Sequence, residues 1–182
     1  MTAYFAKVKV LRVVSMFVFS LTIPLAVSAA QPWYYPQHES RHPPRDASPL
    51  VDKVRKATAR FRDINVALGE GWVRGTPCVS SPQSGAMGVH FILPSRVFDG
   101  ALNASEPEAL IYEPQANGSY RFVGVEFIVI ADEWAQRNPG STPSLDGHLT
   151  NLVSAPNRYG LPSFYELHVW AWQNNPNDSF TD

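Results

Sequence analysis

The run YRFVGVEFIVI, residues 120–130, decides how this chain is read. Successive side chains on a β-strand point to opposite faces. Val123, Val125, Phe127 and Val129 would share one face, and Phe122, Ile128 and Ile130 the other. A strand that is apolar on both faces is covered on both, which predicts a central place in a sheet. Glu126 interrupts this pattern. A carboxylate buried there without compensation costs several kcal/mol, so it should be paired, hydrogen-bonded or protonated.

Working outward, residues 108–113 (EALIYE) read as a second strand, joined to the first by PQANGS, in which Asn117-Gly118 marks a turn. A hairpin is the natural pairing. Residues 86–93 (AMGVHFIL) form another strand by composition, residues 131–137 (ADEWAQR) a short helical turn, and residues 148–153 (HLTNLV) a short strand within a Pro- and Gly-rich segment. Residues 164–172 (FYELHVWAW) complete the strands. Alternation there predicts Glu166, His168, Trp170 and Trp172 on one face, with Tyr165, Leu167, Val169 and Ala171 on the other.

Upstream of the strands, Ser48-Pro49 resembles an N-cap followed by proline at the first helical position. Leu50, Val54, Ala57, Phe61, Ile64 and Leu68 recur at helical spacing, predicting one amphipathic helix that Gly69 and Gly71 end. The expected fold class is therefore α+β: one long N-terminal amphipathic helix packed on a mainly antiparallel β-sheet.

The first thirty residues read as a signal peptide. Lys7, Lys9 and Arg12 precede the apolar run 13–27, and Ser28, Ala29 and Ala30 supply small residues for cleavage. The run is shorter than the ~20 residues of a spanning helix. Residues 31–47, with four prolines, read as a leader, and 48–182 as a single domain. His38, Glu39 and His42 in the leader could catch a metal, although histidines in a Pro-rich tail are usually solvated. Removing residues 1–30 takes away three basic residues and no acidic one, leaving a net charge of about −4. Such a surface does not suit nucleic acid, and no later segment suits a membrane. The expected location is periplasmic or extracellular, with a small ligand or a protein as partner. Cys78 is the single cysteine, so an internal disulfide is excluded, and its setting (TPCVSSP) reads as a loop.

The motifs MGVHF, PEALIYEP, GVEFIV and NRYGLPSFYELHVWAWQNNPNDSF resemble a family of exported bacterial hypothetical proteins. The resemblance spans about Val51 to the end. It implies a secreted single domain and no particular activity. It also implies a further cysteine beyond the NP-x-x-x-F element, a partner for Cys78, before which this chain stops at Asp182. A shorter stretch, LIYEPQANGSYRFVGVEFIVIADEW, is similar to the plant oil-body-associated proteins. That likeness would give Glu126 and His90 comparable roles.

Three strands thus carry His90, Glu126, Glu166 and His168. Two imidazoles and a carboxylate (His90, Glu126 and His168) can hold a divalent metal such as zinc, iron(II) or manganese(II) and leave positions open. Carboxylate and imidazole can also do general acid–base work. Trp170, Trp172, Glu166 and Tyr159, joined by Arg158 and Trp72, would suit a ligand groove through stacking and cation–π contact. Three functions stay open at this point: a binding domain with a polar His/Glu pocket, a metal-assisted enzyme, and an interaction domain in which a buried Glu–His pair only pins the sheet. No GxSxG elbow or phosphate-cradling loop is present.

Overall fold

A computed structural model describes residues 48–81 and 85–181. The expected signal peptide and leader, with His38, Glu39 and His42, lie outside the described residues. The described residues form eight strands and four helices: α1 (Pro49–Thr58), a 3₁₀ turn (Ala59–Arg62), α2 (Ile64–Gly69), β1 (Val73–Ser81), β2 (Gly85–Ile92), α3 (Pro94–Val97), β3 (Ala109–Pro114), β4 (Tyr120–Ile130), α4 (Ala131–Arg137), β5 (Ser144–Leu145), β6 (His148–Leu149), β7 (Asn151–Val153) and β8 (Phe164–Val169). The six-stranded sheet has the order β1-β2-β3-β4-β8-β7, and its neighbours pair antiparallel. Strands β5 and β6 form a separate two-stranded ladder.

Strand β4 lies between β3 and β8, with every residue from Phe122 to Ile130 buried. Its two apolar faces serve two cores. On one side Val125 and Phe127 join Val89, Phe91, Leu110, Tyr112 and Leu167, and this surface receives Leu50, Val51, Val54, Phe61 and Ala67 from the helical segment. On the other side Ile128 and Ile130 pack with Val97, Ala109 and Phe164, while Ile111, Val123, Met87, Val79 and Trp170 form a neighbouring cluster. An irregularity at Val123 puts it here and Phe122 on the helix side, the reverse of the expected alternation. Apolar burial on both faces drives the sheet to the middle of the fold.

The single long helix does not form. Its residues make α1, a 3₁₀ turn and α2 instead. Three interactions account for the break. The Thr58 hydroxyl donates to the Val54 carbonyl at 2.6 Å, a back-bond that bends helices. The Tyr112 hydroxyl reaches up from β3 and donates to the Phe61 carbonyl at 2.7 Å. Asp63 then starts a new helix, accepting from the backbone N–H of Asn65 at 2.9 Å. The break shifts the helical phase, so Ala67 is buried and Leu68 is exposed, contrary to the spacing-based expectation.

Two further expectations change. Cys78 lies in β1, not in a loop, and its side chain is exposed. Strand β8 stops at Val169, where the Ala171 N–H turns back onto the Val169 carbonyl at 2.9 Å. Among the described residues no helix is long and apolar enough to cross a membrane.

Candidate metal centre

Register brings the site together. In the β4–β8 ladder Glu126 stands directly opposite His168. His90 comes from β2, two strands from β4. The intervening β3 offers Ala109 as the partner of Glu126, and Ile111 as the partner of His90. The methyl group of Ala109 is small enough for a carboxylate and an imidazole to approach above it. His90 Nε2 lies 3.5 Å from Glu126 Oε2. The His90 and His168 rings meet edge to face, with centroids 5.9 Å apart. One ligand atom from each of His90, Glu126 and His168 falls within 4.8 Å of the others. All three residues are buried, at 2 %, 4 % and 2 % exposure.

A bulge in β1 completes this corner. Between the pairs Arg74–Phe91 and Cys78–Val89, β1 spends three residues where β2 spends one, His90. The surplus folds Thr76 over the histidine. Its hydroxyl accepts from the His90 backbone N–H at 3.1 Å and lies 3.3 Å from the ring Nδ1. Two ring tautomers fit this contact. If the hydroxyl donates to Nδ1, Nε2 carries the proton and faces Glu126 as a donor. If Nδ1–H donates to the hydroxyl, Nε2 presents a lone pair. The second arrangement is how an outer partner orients a metal-ligating histidine. Burial pushes the His90 ring below the usual imidazole pKa; the Glu126 carboxylate opposes this and His168 reinforces it.

Beside the group is a cavity of about 70 Å³, lined by Gly75, Thr76, His90, Ile92, Glu126, Ile128, Tyr159, Leu161 and Phe164. Its polar corner is Thr76, His90 and Glu126, and most of the remaining wall is hydrocarbon or ring.

The structure thus unites His90, Glu126 and His168, and places Tyr159 at the cavity wall. The other candidates are distributed over the fold, with Tyr159 also packing against the cluster that holds Trp170. Glu166 is buried on β8, opposite Ile128 on one side and Asn151 on the other. Trp170 packs among Val79, Met87, Ile111 and Val123, and its indole N–H donates to the Thr181 carbonyl at 2.6 Å. Trp172 belongs to the helix side of the sheet. Its ring lies 5.9 Å from Phe122 and its N–H donates to Thr58 Oγ1 at 3.2 Å. The row of four on one face ends where the chain turns after Val169, so the two indoles do not form one groove. Trp72 is a core residue, edge-on to Phe61 at 5.3 Å, and Arg158 is exposed, with its guanidinium 5.8 Å from the Tyr159 ring.

Two residues escaped the sequence reading. Thr76 sits in a Pro-containing stretch with no periodic signal. Glu108 is a further buried carboxylate beside Glu126 and Glu166, accepting the Ile128 N–H at 2.8 Å just outside β3. Desolvation pushes its pKa up to about 9, against the pull of that hydrogen bond.

Compared with known proteins, the chain matches no family model, no curated protein and no solved structure. The two resemblances drawn from its motifs rest on the quoted residues alone.

Proposed function

We propose that this protein is an exported divalent-metal-binding protein, with His90, Glu126 and His168 as ligands and zinc as the preferred ion. The observation that carries the reading is the convergence of one atom from each residue within 4.8 Å on a buried sheet face. The His90–Glu126 distance supports it. Two ligands about 2.1 Å from a tetrahedral zinc lie roughly 3.4 Å apart. The His90 Nε2 to Glu126 Oε2 separation is 3.5 Å, longer than a good charge-assisted hydrogen bond. The ligand set is two neutral nitrogens and one carboxylate, which suits zinc over magnesium or calcium. Export rests on the layout of residues 1–30.

The test is metal analysis of untagged protein, followed by zinc titration calorimetry on the chelated form. About one ion per chain is the expected result, with affinity lowered at least tenfold in His168→Ala and Glu126→Gln. A chain that neither carries nor takes up an ion would end this reading.

A second reading has its own support. Thr76 engages His90 Nδ1 without any ion, so a Glu126–His90 pair could serve to fix the sheet. In that case chelation leaves the melting temperature unchanged, whereas Glu126→Gln lowers it.

A further inference from the structure

The metal reading leaves a coordination question. Three protein ligands leave at least one position open on a tetrahedral ion. Of the three, His90 and Glu126 border the 70 Å³ cavity, so an ion held between their facing atoms has this space in front of it.

Charge restricts what can enter. A divalent ion with one carboxylate and two neutral imidazoles carries a net charge of +1. Among the described residues no lysine or arginine lines the cavity, and Glu126 is its single acidic residue. In surroundings this poorly hydrated, one monoanion on the ion brings the group to neutrality, and a second charge would stand uncompensated. Shape restricts it further. Ile92, Ile128, Leu161 and Phe164 form apolar walls, and Thr76 and Tyr159 are the other polar side chains present. Cavities of about 150 Å³ accommodate benzene, so roughly half that volume admits a body of only a few carbon atoms.

We infer that the open metal position takes a small monoanion with a short apolar tail, of the short-chain monocarboxylate class, whose head group binds the ion while its tail lies against Ile92, Ile128 and Leu161. This inference rests on the metal reading above. Size selection follows from the walls, since a long tail has no room. Preference for an acid over the alcohol of equal length follows from the charge count.

The experiment uses cobalt(II) in place of zinc, because its visible spectrum reports changes in coordination. The cobalt-loaded chain is titrated with acetate, propionate, octanoate and 1-propanol. The expected result is a saturable spectral change with acetate or propionate, at least tenfold weaker for octanoate and absent for 1-propanol. Leu161→Trp, which fills the cavity from its loop, should retain cobalt and lose the propionate response. Cobalt binding with a spectrum indifferent to both short acids overturns the inference and leaves the metal reading standing. A response equal for all four compounds, or unchanged in Leu161→Trp, overturns it as well. Failure to bind cobalt or zinc at all removes the metal reading and this inference with it.

Discussion

At the residue scale, two of the three buried glutamates among the described residues, Glu126 and Glu108, are held in the interior by different means. Glu126 has a histidine across the ladder and another 3.5 Å away. Glu108 has a backbone N–H and a pKa near 9, so it is protonated at neutral pH. Its folded pKa lies above its ordinary value of 4.5. The stability it contributes is therefore complete below about pH 4.5 and is lost progressively as the pH rises toward 9, beyond which the loss levels off. Between pH 5 and pH 8 this amounts to roughly 3–4 kcal/mol. Glu108→Gln keeps an oxygen for the Ile128 N–H and removes the titration. Urea unfolding at the two pH values should show the variant gaining on the parent as pH rises; parallel behaviour would refute the assignment. Thr76 acts on one residue too. Thr76→Val removes the hydroxyl that orients His90, and an affinity loss of about tenfold is expected for zinc in calorimetry.

At the element scale, strand contacts hold the ligands in register. A Cβ added at Gly124 on β4 would lie 2.7 Å from the Val169 carbonyl oxygen of β8. Backbone cannot yield as a flexible side chain does, so the two strands would have to separate. Gly124→Ala should cost about 2–3 kcal/mol in denaturant unfolding and weaken metal binding, because His168 is one residue before Val169. Tyr112 works between elements, tying β3 to the 3₁₀ turn through the Phe61 carbonyl. Tyr112→Phe leaves that buried carbonyl without this donor, and a loss of about 1–2 kcal/mol is expected, with metal content unaltered because the contact is on the opposite face.

At the scale of the whole molecule, a ligand that binds only the folded chain stabilises it by mass action. Zinc at a hundredfold excess over its dissociation constant should add about 2.7 kcal/mol, read as a rise in melting temperature that chelator reverses and that His90→Ala abolishes.

How much of this was legible beforehand differs by feature. Strand β4 could be placed from residues 120–130 alone, because hydrophobicity at both parities has no comfortable explanation except burial on both faces. The same run made Glu126 conspicuous, and alternation put His168 on a definable face of β8. Those are local patterns, and the sequence by itself determined them. The helix break, the early end of β8 and the bulge carrying Thr76 have weak local signals or none. Each is decided by a partner distant in the chain or by a competing hydrogen bond: the Tyr112 hydroxyl for Phe61, the turn onto the Val169 carbonyl, and His90 beneath Thr76. The distance between His90 and Glu126 is likewise a tertiary result. It depends on β3 lying between their strands with Ala109 at the crossing, and side-chain periodicity specifies which face a residue occupies, while only strand order and register specify which residues on that face can touch.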